Sequence, residues 1–367
     1  MIDRSSMNHD TADYFSDGAA PDNPEAHKLE AYPMLDWLRF VLASTVLLTH
    51  EGIKYGPING GLAVAVFLAL SGWLIGGILL KSDRSDLPRF FYNRATRIWA
   101  PYFAAIVLLY TAAALREGVD GNWFKYLFYD VTFTHYNFTV FPRASLEMPL
   151  DGTGNMFWSL AVEEQFYLAA PLLMLFTRWG KSIVAWVVIA VALIALQSIY
   201  APIAAGVLAA NLNRRHAIVA TRSQRLLAVA GALAALAAIF WRDVEPFRSI
   251  FSICVVLALT APGARGRLGV FFGGISFPLY LNHWVGGFTI NAISRYVVPI
   301  PAEAVLTLIF FTSVAVSVVA WFLIDRPVML YRNRWYTPAR GRALGITAYL
   351  LVGTGLIGGL LLKSLGY

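Results

Sequence analysis

Two side chains on one apolar stretch define what chemistry this chain could carry. In LDWLRFVLASTVLLTH, which begins at Leu35, Arg39 and His50 are separated by ten residues. At 3.6 residues per turn, eleven steps return a helix to within roughly 20° of its starting azimuth and raise it roughly 16 Å. Both groups then lie on one face, about half a bilayer apart. An imidazole near its titration point can accept a proton from a hydroxyl, and a guanidinium can hold a phosphate or carboxylate. A charge inside an apolar helix costs roughly 2.5–3.5 kcal/mol on insertion scales, so such residues usually face a cavity. A plainer reading has Arg39 reaching the headgroups while pairing with Asp36 at i,i+3, and His50 merely ending the helix.

Three further stretches carry groups of the same kind. FYNRATRIWAPYF, from Phe90, has Arg94 and Arg97 three apart and so on one helix face, a spacing suited to phosphates as well as to a basic anchor. NMFWSLAVEEQFYLAAP, from Asn155, has adjacent Glu163 and Glu164. Neighbours on a helix point roughly 100° apart, so at most one faces a given cavity. One could orient or charge-stabilise a histidine while the other pairs structurally. GGISFPLYLNHWVGGF, from Gly273, places His283 deep in an apolar run with Tyr280 one turn earlier, as a buried packing histidine or as part of a site.

The elements that must position these groups are membrane helices. Hydrophobic residues make up 58% of the 367 residues and charged residues 14%, against about a quarter charged in soluble domains. Apolar runs fall at about 35–51, 61–80, 98–115, 157–177, 182–199, 202–212, 226–241, 249–262, 270–290, 303–325 and 343–362. The expected fold is an all-α polytopic integral membrane protein with 10–11 spans around a polar cavity, 202–212 and 249–262 being short for a full span. Residues 1–33 read as a disordered acidic cytoplasmic tail without a signal-peptide pattern, 34–330 as the membrane domain, and 331–367 as a basic cytoplasmic loop with a final span.

With the N-terminus cytoplasmic, inside segments collect 20 of the 29 basic residues, and Arg39 lies toward the cytoplasm with His50 toward the exterior. That distribution accounts for the net charge of +7 without invoking nucleic acid. The connection at about 116–156 carries Trp123, Tyr126, Tyr129, His135 and Tyr136, as an interfacial belt or a substrate lid. The small-xxx-small pairs Gly72/Gly76 and Gly355/Gly359 read as helix packing. The single Cys254 allows no internal disulfide, and nothing in the sequence calls for a metal. No nucleotide-cradling, hydrolase-elbow or H-E-x-x-H motif occurs.

In their order along about 33–330, these stretches resemble the membrane acyltransferase family 3, which includes sugar O-acetyltransferases acting on lipopolysaccharide, exopolysaccharide and other glycans. The matches are LDWLRFVLASTVLLTH, GGLAVAVFLALSGWLIGGIL, FYNRATRIWAPYF with its Arg-x-x-Arg, WSLAVEEQFYL and ISFPLYLNHW. Ala65 stands where many members have Asp, and Asn282 where an apolar or aromatic residue is common. The resemblance implies transfer of an acyl group, most simply acetyl, from cytoplasmic acyl-CoA as co-substrate to a carbohydrate hydroxyl at the outer face of the plasma (inner) membrane, with no bound cofactor. It implies Arg39, Arg94 and Arg97 as acyl-CoA ligands, His50 as general base and Glu163 or Glu164 as its support. His135, Tyr280 and His283 are expected around the acceptor. The other reading is a transporter or flippase of a glycan or acyl metabolite, with Arg39, His50 and the glutamates as a relay.

Overall fold

An apolar run in a bilayer must satisfy its own backbone hydrogen bonds, and all eleven runs do so as helices. The computed structural model describes residues 32–53, 55–141 and 144–365; the expected acidic tail lies almost wholly outside them. Apart from three four-residue helical turns between 135 and 152, the α-helices among the described residues are, in order, α1 Pro33–His50, α2 Gly60–Lys81, α3 Leu87–Glu117, α4 Gly121–Val131, α5 Trp158–Phe176, α6 Ile183–Ala195, α7 Ala201–His216, α8 Arg222–Trp241, α9 Glu245–Ala258, α10 Arg267–Tyr296, α11 Ala302–Ala320, α12 Arg326–Trp335 and α13 Pro338–Ser364. A π-helical turn, Trp321–Asp325, joins α11 to α12. No strand occurs among the described residues, which hold one isolated bridge, Tyr55 to Ile58.

The protein is an all-α polytopic membrane protein. Among the described residues six helical stretches are long and apolar enough to cross a bilayer: α2, α3, α5 with the turns leading into it from Pro149, α8, α11 continued through α12, and α13. The other five helices of the expected set fall short for two reasons. α1 and α10 carry polar side chains, and α6, α7 and α9, with 13, 16 and 14 residues, rise only roughly 20–24 Å against a hydrocarbon core of ~30 Å.

α2 is the central helix, flanked by α7, α9, α1 and α5. It is apolar all round, as a helix enclosed on every side must be. Its closest neighbour is α7, and glycine makes that approach possible. A Cβ at Gly206 would fall on the Ala69 carbonyl oxygen, and one at Gly72 on the Ile203 carbonyl oxygen. Gly359 likewise admits the Phe138 ring against α13. The second long layer is α10, which lies between α1 and α11.

Adding one methyl at the α2–α7 contact therefore forces two backbones apart. Gly206→Ala should lower stability by about 1–3 kcal/mol, read as a fall in melting temperature of the detergent-solubilised chain. Gly77→Ala, where a Cβ meets nothing within 4 Å, should melt as wild type does. Equal melting of the two variants would refute the backbone contact.

Candidate active site

α1 and α10 run side by side in the same direction. Near their N-termini Asp36 fills the space beside Gly273, where a Cβ would come within 2.8 Å of the aspartate Cβ. Further along, His50 meets His283, with Nδ1 of the first 3.0 Å from Nε2 of the second and the rings stacked at 4.9 Å. The parallel pairing thus gives one end of the structure to arginines and the other to histidines. From Gly274 to His283 the helix rises roughly 14 Å.

The histidine pair has a definite hydrogen-bond direction. His283 Nδ1 lies 3.0 Å from the Tyr280 carbonyl oxygen, which can only accept. His283 therefore donates from Nδ1 and keeps its lone pair on Nε2, which takes the Nδ1–H of His50. The His50 lone pair is left on Nε2. His283 is 2% exposed, whereas His50, the last residue of α1, is exposed. Ser313 Oγ donates to the His283 carbonyl at 2.8 Å and ties α11 to the same point.

At the other end lies a cavity of about 150 Å³. Arg39, Arg94 and Arg97 line it, together with Glu163, Tyr167 and Tyr280. Arg39 Nη1 is held 3.3 Å from Oδ1 of the fully buried Asp36, whose Oδ2 lies 3.2 Å from Arg265 Nε. Arg94 sits over the Tyr167 ring, 5.9 Å from its centroid. Glu163 accepts from Ser71 Oγ at 2.6 Å and from Tyr167 Oη at 3.1 Å. At the end toward the histidines, Ser159 Oγ and Tyr280 Oη are 2.6 Å apart, and Tyr280 Oη donates to the Met156 carbonyl at 2.9 Å.

Regular helix fails at several points around this cavity. Pro101, Pro171 and Pro278 lie inside α3, α5 and α10. A proline removes the hydrogen bond to the carbonyl four residues earlier, here those of Arg97, Tyr167 and Gly274, and all three residues line the cavity. The π-turn contributes Trp321 and Asp325 to the same wall. Single π-turns recur at functional sites because they rotate a side chain out of helical register.

Some expected residues stand elsewhere. Neither glutamate bonds to His50: Glu163 faces the cavity, and Glu164, 4% exposed, accepts from Trp99 Nε1 at 3.0 Å. The side chain bonded to His50 is that of His283, itself set by the Tyr280 carbonyl, because α10 and not α5 runs beside α1. His135, expected near the acceptor, is 1% exposed. Its Nδ1 is 2.6 Å from Asp130 Oδ1 and its Nε2 3.3 Å from Asn155 Oδ1. Tyr110 Oη donates to the other Asp130 oxygen at 2.6 Å. This cluster, with Gln165 Nε2 donating to the Phe133 carbonyl at 2.8 Å, fastens the chain at 130–135 onto α3 and α5. On its surface the Lys125 ammonium, hydrogen-bonded to Glu147, holds that carboxyl below its ordinary range.

Sequence reasoning passed over Ser71, Ser159, Tyr167, Trp321 and Asp325, all lining the cavity. Of these Tyr167 carried a signal, the intrahelical Pro171 four residues later. Among the described residues no cluster of three or more His, Cys, Asp or Glu is arranged to hold a metal.

A family model described as an acyltransferase domain matches residues 32–325. The peptidoglycan O-acetyltransferase OatA of Listeria monocytogenes is 30% identical over 162 residues, covering 41% of this chain and 25% of its own length. The putative peptidoglycan O-acetyltransferase YrhL of Bacillus subtilis is 31% identical over 154 residues, 38% of this chain and 23% of its own. Nodulation protein 10 of Rhizobium leguminosarum bv. viciae is 26% identical over 170 residues, 40% of this chain and 46% of its own. The chain thus spans about a quarter of the length of the first two and under half of the third. No solved structure matches. The family match runs from the residue before α1 to the last residue of the π-turn, and by it the chain belongs to membrane acyltransferase family 3.

Proposed function

We propose that this membrane acyltransferase is an O-acetyltransferase that moves an acetyl group from acyl-CoA, bound at the arginine end, to a carbohydrate hydroxyl at the histidine end. The observation that carries the reading is the oriented His50 imidazole on the same helix as Arg39, which lines a cavity together with two further guanidiniums, Arg94 and Arg97. The O-acetyltransferase names of OatA and YrhL support the transferred group and a glycan acceptor. Basic residues enriched on the arginine side support a cytoplasmic donor and a plasma-membrane location with the N-terminus inside.

In this reading His50 Nε2 takes the proton of the acceptor hydroxyl as its oxygen attacks the thioester carbonyl. The C–O bond forms, the C–S bond breaks, and the imidazolium returns the proton to the departing thiolate. While His50 is charged, its Nδ1–H remains on His283 Nε2, and the α1 C-terminal carbonyls favour the cation. Arg94 and Arg97 bind the donor phosphates, with Arg39 along the path of the thioester arm.

His50→Ala should lower kcat for CoA release from acetyl-CoA by roughly 10²–10⁴-fold in proteoliposomes supplied with glycan acceptors, peptidoglycan fragments included, with acetyl-CoA affinity unchanged. Turnover at the wild-type rate would remove His50 as the base. His283→Leu deletes the acceptor for His50 Nδ1–H and should also lower kcat, and the double variant should fall little below His50→Ala, because residues acting as one unit are not additive. Full additivity would separate the two histidines. Arg97→Ala should instead raise KM for acetyl-CoA roughly tenfold or more, the worth of a charge-assisted hydrogen bond. If the wild type released no CoA with any acceptor yet moved a glycan across the membrane, transport would replace transfer.

A further inference from the structure

The cavity wall holds one carboxylate that the reaction above does not use. Asp325 closes the π-turn, and its side chain lines the cavity. Its Oδ2 is buried and has no hydrogen-bond partner. Arg97 lines the same cavity, yet no ion pair joins it to Asp325 among the described residues. A buried carboxylate oxygen left unpaired is costly, and native proteins keep few of them. Glu163, the other carboxylate on the wall, is satisfied by Ser71 and Tyr167, so Asp325 is the acceptor with capacity to spare.

Its position limits what it could meet. α10 and α11 are antiparallel: Ser313 meets the His283 carbonyl, and Trp321 meets Gly274, where a Cβ would come within 2.7 Å of its indole nitrogen. Asp325 therefore lies a further turn away from the histidines, at the arginine end. A phosphate offers this carboxylate no donor proton and is met by the guanidiniums of Arg94 and Arg97 on the same wall. The thioester arm must run the other way, toward His50. What is left of a nucleotide thioester at the arginine end is its base and ribose, which carry N–H and O–H donors.

We propose that Asp325 is a specificity-determining residue for the nucleotide of the donor, its carboxylate accepting a hydrogen bond from the base amino group or a ribose hydroxyl. The arginines then hold phosphates of any carrier, and Asp325 distinguishes acyl-CoA from a carrier that ends at the phosphopantetheine. This rests on acyl-CoA being the donor.

The test measures affinities of the full-length chain in nanodiscs for acetyl-CoA, acetyl-phosphopantetheine and 1,N6-etheno-acetyl-CoA, for wild type and Asp325→Asn. The wild type should prefer acetyl-CoA to acetyl-phosphopantetheine by at least tenfold. The variant should lose roughly tenfold to a hundredfold in affinity for acetyl-CoA and bind acetyl-phosphopantetheine as wild type does. A wild type that also discriminates against the etheno analogue identifies the base amine as the donor; indifference to it identifies the ribose. Unchanged or tighter acetyl-CoA binding by the variant would overturn the assignment, since removing a negative charge would then only ease phosphate binding. Equal loss of both ligands would overturn it in favour of a structural role. Should the variant not fold, equal wild-type affinity for acetyl-CoA and acetyl-phosphopantetheine is enough to overturn it. If the wild type binds acetyl-phosphopantetheine but prefers no nucleotide, the donor class stands and Asp325 falls; if it binds neither ligand, the acyl-CoA reading falls first and this one with it.

Discussion

The parallel packing of α1 against α10 is the constraint on which the site depends. An amphipathic stripe in water can slide or rotate at modest cost, but a membrane helix carrying Asp36, Arg39 and His50 has to find a polar partner for each. α10 accommodates α1 at two levels: Gly273 leaves room for the Asp36 side chain, which pairs with Arg39 and Arg265, and His283 takes the His50 proton. A shift of one helix along the other by a turn would take the Asp36 side chain off the glycine that admits it and His50 off His283. The same register sets the Tyr280 side chain on the cavity and its carbonyl on His283. One residue thereby links the arginine end to the histidine end.

The glutamate pair illustrates how helix geometry divides labour between neighbours. At roughly 100° apart, Glu163 and Glu164 cannot share a partner, and they do not. Glu163 lies with Ser71 and Tyr167 on the cavity wall, while Glu164 turns to Trp99 on α3. Gln165 points in a third direction, donating to the Phe133 carbonyl and to Asn137. Three consecutive polar side chains thus join α5 to α2, to α3 and to the 118–157 segment. Around the buried Asp130 and His135 that segment is pinned to the bundle by hydrogen bonds.

The cavity itself exists because regular helices were prevented from closing it. Straight apolar helices would pack ridge into groove and leave no void larger than a water. Prolines in α3, α5 and α10 and the π-turn after α11 disturb that packing at one level of the bundle. Elsewhere glycines do the opposite work and draw α2 and α7 into backbone contact. A tight half and an open half of the same bundle follow from where these two residue types fall.

Much of this architecture is legible in the chain alone. The eleven apolar runs, the 100° divergence of Glu163 and Glu164 and the shared face of Arg39 and His50 are local properties, set by helical period and by the cost of charge in hydrocarbon. The ordered motifs were enough to suggest the family. What the sequence could not decide is which helix stands beside which. A carboxylate of α5 was expected beside His50, where His283 of α10 stands; His135 was expected near an acceptor and is buried against Asp130. Asp325 was passed over because nothing near it in sequence marks it. Each of those outcomes depends on contacts between residues far apart in the chain, and only tertiary packing brings such residues together.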